Sequence, residues 1–234
     1  MGRVFLALIR HGEYLQPADT PSAHLPHPLS DVGERQAIEA AGLVAETARS
    51  EGWSIDRHID ASSLLRGWQT ARLIAEYLPR SPGEAPLEVS AFDELAERSL
   101  GAAANLTLAR IDEVVAADPR LSPLPENWKA QTHFRLPVIG AESLYQAGAR
   151  VAEHLRRRTE PLAESGADVL KIFVGHGGAF RHAALHLGVL DEDRIPGLSM
   201  HHARPVYLER LSDGAFRHAA GEWKIRRRKT EDID

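Results

Sequence analysis

Arg10, His11 and Glu13 fall within one tetrapeptide, Arg10-His11-Gly12-Glu13, directly after the apolar run Val4-Phe5-Leu6-Ala7-Leu8-Ile9. An imidazole beside a guanidinium suits a nucleophile held next to an anion. The neutral ring offers a lone pair, and the arginine grips paired oxygens in a fork. At the C-terminal end of a buried strand, both stand where open α/β sheets build their sites. A second apolar run, Val169-Leu170-Lys171-Ile172-Phe173-Val174, ends in Gly175-His176-Gly177-Gly178. Isolated Arg-His pairs arise by chance, but two strands that each deliver a histidine beside glycine form a stronger pattern. A third stretch, Ser62-Ser63-Leu64-Leu65-Arg66-Gly67-Trp68-Gln69-Thr70-Ala71, carries Arg66 into a helix.

The chain around these stretches alternates strand-like and helix-like segments. The run over 4–9 is β-branched and aromatic enough for a strand, and Pro17, Pro21, Pro26 and Pro28 forbid regular structure over 14–30. Ser30 or Asp31 caps a helix with Ile38, Ala41, Ala45 and Ala48 at helical spacing, ending near Gly52. A short strand over 57–61 leads to Ser62. The helix after it carries Ala71, Ile74, Ala75 and Leu78 on one face until Pro79 stops it. A strand-sized segment over 87–89, an amphipathic helix over 143–160, the strand over 169–174, a helix over 178–188 and a final strand over 205–211 complete the series. Strands alternating with helices predict a three-layer α/β/α fold around a mostly parallel central sheet. Residues 1–234 make one domain of ordinary size. Within it, 99–141, with a weak helix over 106–117 and four prolines beyond it, reads as a capping insertion over the site.

The three motifs together resemble the histidine phosphatase superfamily, the phosphoglycerate mutase-like fold, with Arg-His-Gly first, Ser-x-Leu-x-Arg-x-x-Gln-Thr-Ala next and a late His-Gly-Gly. The resemblance implies that His11 attacks phosphorus to form a phosphohistidine while Arg10, Arg66 and His176 hold the phosphate. A phosphomonoester dianion needs such fixed donors, an in-line nucleophile and a proton for the leaving group. His11 must then stay unprotonated, which adjacent arginines favour, and its other nitrogen needs an acceptor such as a backbone carbonyl near Gly12. Leu95-Ala96-Glu97-Arg98-Ser99-Leu100-Gly101 resembles the Leu-x-Glu-Arg-x-x-Gly segment of the mutase branch. That match makes Glu97, ahead of Glu94, the proton carrier and brings Arg98 toward the rest of the substrate. Glu13 orients Arg10, lines the rim or is a surface carboxylate, and His201 or His202 lines the pocket from the loop before the last strand. Glu142-Ser143 resembles a family Glu-Ser pair and also reads as a helix N-cap. Trp128, His133, Phe134 and Arg135 are the insertion residues expected to select the substrate.

Several positions depart from the mutase branch. Glu13 is followed by Tyr14-Leu15-Gln16-Pro17 rather than Ser-x-Trp-Asn, Leu100 stands in place of the mutase tyrosine, and no adjacent arginine pair occurs over 105–140. They favour a histidine acid-type phosphatase, a phosphoric monoester hydrolase acting on a small phosphorylated metabolite. The alternatives are a phosphoglycerate-type mutase, a protein phosphohistidine phosphatase, and an inactive member that only binds phospho-ligands. The 234 residues include no cysteine, which excludes disulfides and thiolate metal sites and fits a cytoplasmic location. No cofactor or metal is expected, since His182 and His186 at i, i+4 lack the glutamate of the zinc-protease helix. A net charge of −5 gives no pull toward nucleic acid or an anionic membrane. Six apolar residues in a row at the start are too few for a signal-peptide core or a membrane span. The tail, basic over 226–229 and then acidic, neutralises itself. A small phosphomonoester is the expected partner, and a homodimer is left open.

Overall fold

The computed structural model describes residues 2–81, 83–164 and 166–226; most of the charged tail read above lies outside them. In chain order the strands are β1 (Val4–Arg10), β2 (Ser54–Ser62), β3 (Glu88–Phe92), β4 (Val169–Gly175), β5 (Leu198–Ser199), β6 (Pro205–Arg210), β7 (Phe216–Ala220) and β8 (Lys224–Ile225). The helices are α1 (Asp31–Glu51), α2 (Leu65–Tyr77), α3 (Leu108–Ala116), α4 (Leu144–Thr159) and α5 (Gly177–His186). The main sheet has the order β3-β2-β4-β1-β6-β7. Its first four members run parallel, and β6 and β7 extend it by antiparallel pairing. The small strands β5 and β8 pair separately.

Period-two alternation along β1 builds both layers of the core. Phe5, Ala7 and Ile9 pack with Ala41 and Val44 of α1 and with Ala71 and Ile74 of α2. Leu6 and Leu8 join Val151 and Leu155 of α4 and Ala179, Phe180 and Ala183 of α5. Each large apolar side chain so buried contributes about 1.5–3 kcal/mol. A strand covered on both faces must be apolar throughout, as β1 and β4 nearly are. The helices begin and end on local chemistry. Ser30, rather than Asp31, caps α1 by accepting from Gly33 N–H, and Gly52 closes it in the left-handed region at φ 72°. Ser143 and Gln146 form a reciprocal capping box at the start of α4.

Two segments differ from the sequence reading. The chain does not stop at one last strand after 205: it turns at Gly214 (φ 86°) and returns as β7. β7 lies at the sheet edge with mostly exposed residues, so it carries no apolar alternation to read. The weak helix over 106–117 is α3, slightly shorter and capped by Thr107. The segment around it gathers its own apolar cluster of Leu100, Ala103, Ile111, Trp128 and Leu136, and Ala23 of the proline-rich loop joins that cluster. Among the described residues, no helix is long and apolar enough to cross a membrane.

A buried charge network braces β2 just before it delivers Ser62. Asp60 is fully buried and accepts from His154 Nε2 at 2.9 Å and Arg158 Nε at 2.7 Å, with Lys171 Nζ 2.9 Å away. Burial alone would raise Asp60; the combined pull of His154, Arg158 and Lys171 outweighs it and holds the carboxyl well below its ordinary range. The folded state therefore binds this proton more weakly than the unfolded chain. The stabilisation is complete above the unfolded value of about 4 and is lost as pH falls from there toward the lower folded value. Asp60→Ala removes the acceptor that three basic side chains share, and urea unfolding near neutral pH is expected to show a loss of about 3 kcal/mol or more. A loss below about 1 kcal/mol would mean that the network adds little to the fold.

Candidate functional site

The C-terminal ends of β1, β2 and β4 meet the first turn of α2. In the β1–β4 pairing Arg10 stands opposite Gly175, and His11 N–H donates to Gly175 O at 2.9 Å. That register sets the His11 and His176 rings side by side, with centroids 5.0 Å apart. His11 Nδ1 donates to Gly12 O at 2.7 Å, so Nε2 keeps its lone pair and accepts from Arg66 Nε–H at 3.2 Å. The turn that carries His11 is held by Gly12 N–H donating to Thr70 Oγ1 at 3.0 Å. Gly12 also packs on the first turn of α1, where an added Cβ would fall 2.4 Å from Gly33 O, so only glycine fits.

Arg66 is wholly buried and donates in four directions. Besides His11, its guanidinium reaches Leu25 O at 2.8 Å, Ala23 O at 2.8 Å and His176 Nδ1 at 3.3 Å. Since Nδ1 of His176 accepts there, its Nε2–H is left to donate to Ser62 Oγ at 2.8 Å. The Tyr14 ring covers the guanidinium at 4.5 Å and stands edge-on to His11 at 5.3 Å. Burial foremost, then Arg66 and Arg10, push His11 well below the usual histidine value. Burial, Arg66 and His11 do the same to His176. Both rings are therefore neutral near pH 7, and the positive charge resides on the arginines.

The remaining sequence candidates fall into distinct places. Arg10 Nη1 donates to Met200 O at 3.1 Å and borders the centre from β1. Glu97 is buried, and its two oxygens accept from Arg98 N–H at 2.9 Å and Gly178 N–H at 3.1 Å, two residues beyond His176. Glu94 points elsewhere, into an exposed ion pair with Arg157 at 3.0 Å. Arg98 is buried with its guanidinium 5.7 Å from the Trp128 ring, and it makes no side-chain hydrogen bond or ion pair with any described residue. Burial lowers its pKa, against the pull of Glu97 and Glu142. The Glu13 carboxylate accepts from Ser30 Oγ at 2.9 Å, at the cap of α1. Glu142 pairs with Arg150 at 2.8 Å, and Arg150 also donates to the carbonyls of 93, 94 and 96, bracing the Glu97 turn. His201 is exposed beside Arg10, whereas the ring of His202 lies 5.8 Å from that of His11.

Sequence reasoning missed the backbone. The carbonyls of Ala23 and Leu25, the ring of Tyr14, and His24, whose Nε2 donates to Glu97 O at 3.0 Å, all come from the proline-rich loop. A main-chain acceptor leaves no trace in residue type, so no signal pointed to the first two. His182 and His186 turn to separate carbonyls, those of Gly178 and Tyr145. Among the described residues, no group of three or more His, Cys, Asp or Glu is placed to hold a metal ion.

The sequence profile of the histidine phosphatase superfamily (branch 1) matches residues 6–219. No curated protein matches the chain in sequence. Among solved structures, a mycobacterial glucosyl-3-phosphoglycerate phosphatase superposes with a TM-score of 0.67 at 23% identity, covering 94% of this chain and 96% of that one. A phosphoglycerate mutase from Bacillus anthracis superposes with a TM-score of 0.71 at 18% identity, covering 94% and 93%. At such identities the likenesses establish the fold.

The assigned ring states are open to direct test. Nitrogen NMR of histidine-labelled protein near pH 6.5, the ordinary histidine value, is expected to show His11 as the neutral Nδ1–H tautomer. An imidazolium signal for His11 at that pH would contradict the assignment.

Proposed function

The chain belongs to the histidine phosphatase superfamily, branch 1, and we propose that it hydrolyses a small phosphomonoester without a metal ion, through a phosphohistidine on His11. The observation that carries this reading is the Nε2 lone pair of His11, unprotonated and 3.2 Å from the Arg66 Nε–H in a buried, positively charged setting. The phosphoryl group would lie among Arg10, Arg66 and His176, whose donors turn from their present acceptors to its oxygens. His11 Nε2 forms the bond to phosphorus as the ester P–O bond breaks, and protonated Glu97 gives its proton to the departing oxygen. Water then attacks phosphorus, Glu97 takes that water's proton, and phosphate leaves with His11 restored.

Arg98 supports the same reading, because a buried guanidinium with no side-chain hydrogen bond or ion pair among the described residues has its charge available for the body of a substrate. Hydrolysis is favoured over a mutase reaction by Leu100: it is buried in the apolar cluster of the insertion, where the mutase branch has a tyrosine, so no hydroxyl is offered there. Residues 99–141 act as a cap, anchored by Ala23 and Arg98 on the site side. A cap of this kind suits small substrates.

Phosphate release should be measured across a panel of phosphomonoesters, glucosyl-3-phosphoglycerate included, with EDTA present and His11→Ala in parallel. Wild type is expected to turn over at least one ester in EDTA, while His11→Ala loses more than about 1000-fold in kcat. A loss under about tenfold would remove His11 as nucleophile, and a requirement for metal would overturn the mechanism. Glu97→Gln is expected to slow esters with poor leaving groups most; a uniform loss across leaving groups would take the proton from Glu97.

A further inference from the structure

A cavity of about 300 Å³ opens beside the centre, between the stretch of α1 from Gln36 to Leu43, the loop before β6 and Lys224 of β8. Arg10 and His202 form the wall it shares with the centre, and the His202 ring is 5.8 Å from that of His11. His11, Arg66 and His176 are themselves buried, whereas Arg10 and His202 are half-exposed, so this wall is a side on which the centre meets open volume. The cavity is also lined by His201, Arg204, Lys224 and one carboxylate, Glu39. Neither Arg204 nor Lys224 makes a side-chain hydrogen bond or ion pair with any described residue. Three cations against one carboxylate, in a chain of net charge −5, form a local positive field that the composition does not account for. His201 feels it: burial first, then Lys224 and Arg204, lower its pKa against the opposing pull of Glu222.

We propose that this cavity is a second anion subsite, which seats a carboxylate or second phosphate on the body of the substrate through Arg204 and Lys224 while the reacting phosphate lies at His11. The inference rests on the phosphatase reading and narrows it to small phosphomonoesters that carry a second negative group. The cavity is at the small end of ligand sites, which fits a short, compact substrate body. Exposed cations of this kind confer selectivity more than raw affinity, and salt weakens their effect.

The test compares kcat/KM for phosphate release within two matched pairs, glycerol 3-phosphate against 3-phosphoglycerate and fructose 6-phosphate against fructose 1,6-bisphosphate. Wild type is expected to prefer the doubly anionic member of at least one pair by about fivefold or more, less at high salt, and the pair that responds identifies the anion. In the double variant Arg204→Glu/Lys224→Glu that preference should fall to within about twofold, and Arg204→Ser/Lys224→Ser should show an intermediate loss, with circular dichroism confirming the fold of each. No preference in wild type, or one retained in both variants, would overturn the subsite and leave the phosphatase reading intact. Silence toward all four esters and the wider panel would overturn that reading, and the subsite with it.

Discussion

Arg66 is a buried cation to which no carboxylate is paired among the described residues, and the site is arranged around that fact. Taking a guanidinium out of water costs several kcal/mol, and neutral acceptors return only part of it. Here those acceptors are two imidazole nitrogens and two main-chain carbonyls. Each bond has a consequence. The two to imidazoles fix the tautomers and, with burial, keep both rings neutral. The two to carbonyls tie down the loop that would otherwise leave the guanidinium exposed. A positive charge held this way, with no carboxylate hydrogen-bonded to it among the described residues, suits the anion that the proposed phosphoryl transfer would bring.

The surrounding fold delivers these groups through strand register and glycine contacts. Parallel pairing of β1 with β4 sets Arg10 opposite Gly175, so the residues just beyond each strand become neighbours. β2 adds Ser62 under His176, braced from below by the buried Asp60 network. The insertion is coupled to the same arrangement at one residue. Ala23 gives its carbonyl to Arg66 and its side chain to the cluster around Ile111 and Trp128. The apolar cluster of residues 99–141 and the guanidinium thus meet at Ala23 by direct contact rather than over a distance.

Much of this was legible in the sequence, for identifiable reasons. Strands buried on both faces, such as β1 and β4, show as continuous apolar runs, and Ser30 and Ser143 announce their helices by cap chemistry. The three motifs that hold Arg10, His11, Arg66 and His176 lie at strand ends or helix starts, where polar residues after apolar ones stand out. What stayed hidden depends on partners far along the chain. β7 is an exposed edge strand with no alternation to detect. The carbonyls of Ala23 and Leu25 are main-chain groups. The bond from Ser30 Oγ to the Glu13 carboxylate joins residues 17 apart in the chain, so nothing in the tetrapeptide around His11 announced it. Lys171 was the one visible irregularity in an apolar strand, and it marks the buried carboxylate of Asp60 that pattern reading passed over.

The central claim is that His11 carries the phosphoryl group, and rapid-quench labelling tests it most directly. Enzyme mixed with a phosphorus-labelled substrate and quenched in alkali within one turnover should hold label that is stable to base, labile to acid and located by mass spectrometry on His11. Label on a hydroxyl or carboxylate side chain, or turnover in which no labelled enzyme forms at any time, would contradict the account.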